Sequence, residues 1–324
     1  MEYRTLGSAG VKVSPLCLGC MNFGGATSEE DSIRIIHAAL DAGINFLDTA
    51  NVYNKGVSEE FVGKALQGKR DQVFLATKVH GTMGPGPNDS GNSRYHIFQQ
   101  VEASLKRLKT DRIDLYQLHR PDSATPMEEQ LGALTDLVRQ GKVRYLGTST
   151  FPAWQLCEAM WISDRKNLER FVCEQPPYSI LSRKIEADVL PFCRKYGFAV
   201  IPWSPLAGGW LSGKYRKGQK PPEGSRGARR GWETDPDSPS EETRLRVDAV
   251  EKLVAVADQA GIPLSQFALA WNLANPIVTA PIIGPRTMEQ LQDNLKAIDV
   301  SLGPDTLEAV DAICPPRSDF MRYG

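Results

Sequence analysis

Long apolar runs are missing from this 324-residue chain. None approaches the roughly 18 residues that a helix needs to cross a bilayer, which argues against a membrane span. An excess of one charge is missing too. The formal net charge is −1 and the pI about 6.5, leaving no basic footprint for nucleic acid or an anionic membrane. The opening MEYRTLGSAGVKVS is polar and alternating, unlike a signal peptide, so a cytoplasmic location is expected. No GxGxxG occurs anywhere, which counts against a doubly wound dinucleotide-binding sheet.

Cysteines are few and poorly placed for metal or redox work. Six fall at 17, 20, 157, 173, 193 and 314, and only Cys17 and Cys20 form a CxxC. Zinc needs a second close pair, and a thioredoxin-like motif would lie between a strand and a helix start in a small domain. LCLGC instead reads as a buried strand running into a glycine turn, with Cys17 in the core. No metal site is expected.

What is present is enough apolar content, 41%, to bury a large core. Length alone suggests two domains of ~150 residues, but α/β barrels run longer as single units, and one domain over 1–324 is expected. The first residues read as a hairpin, EYRTL and VKV around a turn at Gly7–Gly10. One alternation then repeats. Strand candidates PLCLG, INFLDTA, VFLATKV, DLYQLHR, VRYLGTS, FVCEQ, AVIPWS and TAPIIG are separated by helical patterns. SEEDSIRIIHAALDAG opens on Ser28 with acids in its first turn and stops at Gly43; SEEFVGKALQG repeats the device from Ser58. RYHIFQQVEASLKRL, MEEQLGALTDLVRQG, PAWQLCEAMWISD, SRKIEADVLPFCRKYG, TRLRVDAVEKLVAVADQAG and TMEQLQDNLKAI continue the series. Eight parallel strands with helical crossovers in ~300 residues predict an α/β fold, a (β/α)8 TIM barrel, with the hairpin capping its bottom. One stretch interrupts the rhythm: residues 212–242 are rich in Gly, Pro and charge. Following the seventh strand, they read as a mobile flap over a ligand or as a solvated insertion.

A barrel gathers its strand C-termini at one mouth. Asp48 closes INFLD, Lys78 closes VFLATK, His119 closes DLYQLH, and Tyr53 follows the second strand. Singly, these read as a turn cap, a solvated strand end, a core histidine and a packing aromatic. Together they place four titratable groups at consecutive strand ends. A charged pair such as Asp48–Lys78 at the mouth is expected to be partnered, since unpaired burial is costly. A cation beside a tyrosine favours its phenolate, which predicts a Tyr53 pKa below the usual ~10.

GINFLDTANVY, LATKV, LYQLHRPD, YLGTSTF and PIIGPRTMEQLQDN resemble, in order and spacing, the motif series of the aldo-keto reductase superfamily over nearly the whole chain. The resemblance implies an NADPH-dependent carbonyl reductase: Tyr53 as general acid, Lys78 lowering its pKa, Asp48 holding Lys78 and His119 orienting the carbonyl. A phenol and an imidazole would stabilise negative charge where it develops on oxygen. His80, beyond its strand end, is secondary. For the cofactor, the resemblance points to Trp203 stacking on the nicotinamide and Gln175 and Ser149 holding its carboxamide, with Ser204 beside them. Thr150 stands where the family has Asn. Leu206, Gly208, Ser212 and Lys214 would touch the pyrophosphate; Gly284, Arg286, Gln290 and Asn294 would grip the adenosine end. Arg286 before a helix start favours a 2′-phosphate, hence NADPH over NADH.

Met21, Phe23, Trp210, Trp232 and the tail RSDFMRYG are candidate substrate walls, which favours aromatic or aliphatic aldehydes. The same superfamily includes potassium-channel auxiliary subunits, so a redox-sensing NADPH-binding module is the alternative. A barrel glycosidase would need paired acids at strand ends, where this chain offers His119 and Trp203.

Overall fold

The computed structural model describes residues 1–321. Strands β1 (Arg4–Thr5) and β2 (Lys12–Val13) form the antiparallel hairpin. Eight parallel strands follow: β3 (Cys17–Gly19), β4 (Phe46–Asp48), β5 (Phe74–Val79), β6 (Ile113–Leu118), β7 (Val143–Ser149), β8 (Phe171–Gln175), β9 (Ala199–Val200) and β10 (Ile282–Ile283). They pair in the order β10-β3-β4-β5-β6-β7-β8-β9. The two ends of that series meet through a parallel bridge between Val200 and Val278 and through the bonds Thr279 N to Val200 O and Ile282 N to Pro202 O, both 2.8 Å. The sheet closes into the (β/α)8 barrel that the alternation predicts.

Side chains alternate between the barrel interior and the helical layer. Cys17, Phe46, Phe74, Ala76, Leu115, Cys173, Ala199 and Ile282 form one interior cluster. Leu6, Ala9 and Val13 of the hairpin segment pack into that cluster, and Phe46 and Phe74 are the first residues of their strands. The hairpin therefore plugs the bottom. Arg4 ties it down by donating to the carbonyls of Val278 and Leu273. The same period of two places Asp48, Lys78, Gln117 and Gln175, one or two steps up their strands, in the top interior layer.

Most helices lie where the patterns put them. Ser28 and Ser93 cap Glu29–Asp41 and Arg94–Leu108 by accepting from the N–H groups of Asp31 and His96. Met127–Arg139, Ala153–Lys166, Glu241–Gln259 and Met288–Lys296 complete the matched set. Ser58 is not a cap. The helix Val57–Ala65 starts from Gly56, and the Ser58 hydroxyl donates to the Cys20 carbonyl at 2.7 Å. The pattern from 182 to 197 resolves into a short turn, Lys184–Glu186, and a helix, Val189–Tyr196. Pro191 lies in that helix's first turn, where its missing N–H leaves no intrahelical bond unmade. Besides a short one within 212–242, two helices escaped the periodicity. In Leu264–Ala274 every residue from Leu264 to Asn272 is buried, so no polar face marks the turn of the helix. Pro304–Ile313 buries only Val310, so no apolar stripe does.

Residues 212–242 contain a short helix, Arg226–Arg230. They are tethered: Arg216 makes a two-point pair with Glu251, Gly227 N donates to the Tyr215 hydroxyl, and Trp232 stacks on Trp210 at 5.4 Å. The final described residues fold back on the barrel, with Arg183 N bonded to Ser318 O and Phe320 N to Leu181 O. Part of the tail read as a substrate wall, 322–324, lies outside the described residues. Among the described residues no single helix is long and apolar enough to cross a membrane.

Helix Val57–Ala65 crosses the end of Arg94–Leu108 at Gly63, where an added Cβ would stand 2.5 Å from the Arg107 carbonyl oxygen. That is backbone against backbone, which cannot yield without separating the helices. Gly132, inside Met127–Arg139, has nothing within 4 Å of the same position. Gly63→Ala should therefore destabilise by roughly 1–3 kcal/mol, whereas Gly132→Ala should stabilise by roughly 0.5–1 kcal/mol. Urea unfolding of the two variants checks the contrast.

Candidate active site

The top interior layer is a closed set of bonds around one carboxylate. Lys78 is fully buried, and its ammonium donates to Asp48 Oδ1 at 2.5 Å, to the Thr49 carbonyl at 2.7 Å and to the Tyr53 hydroxyl at 3.2 Å. The other Asp48 oxygen, Oδ2, accepts from Gln117 Nε2 at 3.0 Å and Gln175 Nε2 at 2.9 Å. Gln175 also donates to Gln117 Oε1. Three acceptors saturate the ammonium and three donors serve the carboxylate, the condition under which a buried pair is tolerated.

Tyr53 leaves β4 on a single turn, Tyr53–Gly56, in which Asn54 and Lys55 have φ of 50° and 56°. Asn54 pins that turn by donating to the carbonyls of Phe23 and Met21 at 2.6 and 3.3 Å. The phenol ring meets His119 edge-on, with centroids 5.6 Å apart. Asp48, Tyr53, Lys78 and His119 are thus brought together as expected.

The electrostatics differ from the expectation in one respect. Burial raises the Tyr53 pKa and outweighs the lowering by Lys78, so the phenol lies above its ordinary value. Burial works against the Lys78 charge, but Asp48 and the Tyr53 hydroxyl prevail and hold the ammonium above its usual range. Burial, with Lys78 and Arg120 adding repulsion, drops His119 to about 2. The group at neutral pH is a neutral phenol and a neutral imidazole beside a compensated ion pair.

A cavity of about 410 Å³ opens from this layer and runs along the barrel mouth. Asp48, Tyr53, Gln175, Met21 and Trp203 line its inner end. Ser204, Leu206, Gly208 and Ser212 form the middle, where Gly208 at φ 68° could not carry a side chain without meeting Trp232 and Arg226. Gly284, Arg286, Gln290 and Asn294 form the outer end with Lys214, Arg226 and Arg229. Burial lowers the Lys214 and Arg226 pKa values, and mutual repulsion including Arg286 lowers them further. An aromatic wall, a glycine-lined middle and crowded cations without carboxylate partners among the described residues fit a dinucleotide carrying phosphates. Gln290 Oε1 is already taken by Arg286 N at 2.8 Å, which leaves its amide N–H₂ for a ligand.

Several expected residues lie elsewhere. Phe23 and Trp210 are 0% and 1% exposed and belong to the core, and Trp232 stacks on Trp210 beside the cavity rather than in its lining. An aromatic letter in a loop does not disclose which side of that loop faces solvent. The Ser149 hydroxyl donates to the Gln175 carbonyl at 2.8 Å and braces β7 against β8. His80 pairs with Asn92 Oδ1 at 3.1 Å. Cys17 and Cys20 are buried thiols. Gln117, Asn22, Arg226 and Arg229 were not anticipated. The inward alternation of DLYQLH could have flagged Gln117, because Gln117 and His119 stand two residues apart.

A polar ring at the mouth of a closed parallel barrel, beside a cleft carrying several cations, is where a barrel enzyme places its site. The sequence then specifies which. Residues 15–314 match the model of the Aldo/keto reductase family, and the chain belongs to that family of oxidoreductases. It is 45% identical over 326 residues to the uncharacterized oxidoreductase YrpG of Bacillus subtilis, covering 97% of this chain and 96% of that protein. It is 38% identical over 332 residues to a probable voltage-gated potassium channel subunit beta of Arabidopsis thaliana (99% and 100% covered). It is 34% identical over 351 residues to versiconal hemiacetal acetate reductase of Aspergillus parasiticus (98% of each).

Ultraviolet difference titration against Tyr53→Phe should show the Tyr53 phenol ionising above the ordinary ~10. Lys78→Met should move it further up, since the larger of the two cationic influences drawing it down, Lys78 ahead of Arg120, is gone. A wild-type midpoint below the ordinary value would contradict the balance described.

Proposed function

We propose that the protein is an NADPH-dependent reductase of aldehydes and ketones, with Tyr53 as the general acid. The observation that carries this reading is the 3.2 Å contact between the Lys78 ammonium and the Tyr53 hydroxyl beside the cavity. Trp203 and Gln175 would hold the nicotinamide end, Lys214 and Arg226 the pyrophosphate, and Arg286, Gln290 and Asn294 the adenosine end. The cofactor, when bound, supplies hydride to the carbonyl carbon. Tyr53 delivers its proton to the carbonyl oxygen as charge builds there, and neutral His119 donates a second hydrogen bond to the same oxygen. Lys78 cannot leave its three partners, so it stabilises the phenolate left behind without moving.

The sign of the pH dependence follows from the Tyr53 shift. Reduction needs the protonated phenol, and a raised pKa keeps it protonated until the pH passes above the ordinary tyrosine value. Reduction at saturating substrate should therefore show no Tyr53-dependent fall between pH 7 and about 9. A fall there that disappears in the Lys78→Met variant would overturn the assignment.

Two substitutions separate the roles. Tyr53→Phe should lower kcat for 4-nitrobenzaldehyde by roughly 100-fold or more while NADPH binding, followed by fluorescence, persists. Arg286→Ala should weaken NADPH by roughly 10-fold or more relative to NADH, as expected for loss of a charge-assisted contact. Equal weakening of both cofactors would remove the 2′-phosphate role.

A second reading is an NADPH-binding sensor module. It is supported by the likeness to proteins named as potassium channel subunits from Arabidopsis thaliana and rice, at 38% and 37% identity. It predicts NADPH binding with turnover no greater than that of Tyr53→Phe. The saturated hydrogen-bonding of Lys78 and the cavity beside Tyr53 favour catalysis.

A further inference from the structure

Lys214, Arg226 and Arg286 at the outer end of the cavity have a use in the reading above. Arg120 does not. It follows His119 at the exit of β6, and its Nη1 donates to the His119 carbonyl at 2.8 Å and to Thr150 Oγ1 at 3.1 Å. Its guanidinium carbon lies 5.8 Å from the centroid of the Trp203 ring. The side chain thus reaches from the fourth barrel strand past the fifth toward the seventh, across the catalytic end of the mouth. Nε and Nη2 donate to nothing among the described residues, and no carboxylate there forms an ion pair with Arg120.

The charge of Arg120 is also the unbalanced one at this end. Lys78 is matched by Asp48. His119 and Tyr53 are neutral at pH 7. The nearby acid, Glu174, is pushed up to about 8 by burial, so at neutral pH most of it carries a proton and offers Arg120 no counter-charge. A half-buried guanidinium with two donors still available is a fork suited to a carboxylate or phosphate. The residue at 150 makes this more specific. Thr150 has φ of 63°, a conformation that a β-branched residue rarely adopts, and its hydroxyl is held by Arg120. The threonine and the arginine form one hydrogen-bonded unit with His119.

We propose that Arg120 is a specificity residue that binds the anionic group of the carbonyl substrate. The preferred substrates would then be small aldehydes or ketones carrying a carboxylate or phosphate a few atoms from the carbonyl. This rests on the reductase reading and replaces the expectation of aromatic or aliphatic aldehydes. The competing role for Arg120 is purely a brace for His119 and Thr150.

The test pairs charged and neutral carbonyls of similar size: succinic semialdehyde with butanal, and glyceraldehyde 3-phosphate with glyceraldehyde. Wild type should prefer the charged member of at least one pair, and which pair identifies carboxylate or phosphate. Arg120→Met should lower the charged-to-neutral ratio of kcat/KM roughly 10- to 100-fold, mostly through KM, and Arg120→Lys should recover part of it. A brace would lower both members alike and leave the ratio unmoved, which would overturn the proposal. So would a wild type without preference, or a loss of NADPH affinity as large as the loss in kcat/KM. Tryptophan fluorescence of the cofactor-free protein titrated with succinate and with inorganic phosphate supplies the second readout. Weaker binding of either anion in Arg120→Met, in a protein that turns over none of the four carbonyls, would sink the reductase reading while upholding the anion site. No difference between the two proteins would sink the anion site itself.

Discussion

The fully buried ammonium of Lys78 is the constraint on which the site depends. A charge there is tolerable only if every donor is used and the nearest carboxylate is itself fully bonded. Asp48, Thr49 and Tyr53 meet the first condition. Gln117 and Gln175 meet the second by holding the far oxygen of Asp48. The network spans four barrel strands and the turn after β4, so barrel closure and site geometry are the same fact. A strand that slipped by one residue would turn its member of the ring outward into the helical layer.

Burial also sets the chemical character of the mouth. The expectation of an acidified phenol considered the cation and not the desolvation around it. Around Tyr53 the desolvation is larger, and the result is a phenol that stays protonated. That suits the proton donor proposed above: Lys78, by stabilising the phenolate, offsets only part of the rise that burial causes. The same burial keeps His119 neutral, so it presents a hydrogen bond rather than a charge.

The fold was largely legible because parallel barrel strands are buried on both faces and read as short apolar runs between helical patterns. Asp48, Lys78 and His119 were legible because polar residues end those runs, and Tyr53 because GINFLDTANVY carries the family resemblance. What stayed hidden has identifiable causes. The helix Leu264–Ala274 is buried all round and Pro304–Ile313 barely buried at all, so neither carries a stripe. Ser58 sits two residues too late to cap, because Gly56 already starts the helix. Phe23 and Trp210 share the loops of true lining residues yet point inward. Gln117 lies two residues before the recognisable His119, where the strand alternation marks it, whereas the reach of Arg120 across the mouth leaves no sequence signal.

In the proposed reaction Lys78 organises hydride transfer without itself moving. The most direct measurement is the single-turnover rate of 4-nitrobenzaldehyde reduction by NADPH-loaded protein, compared between wild type and Lys78→Met. The expected loss is roughly 100-fold or more, in the range of a disabled general acid, with the cofactor still bound. A variant that reduces the aldehyde at the wild-type rate would contradict it.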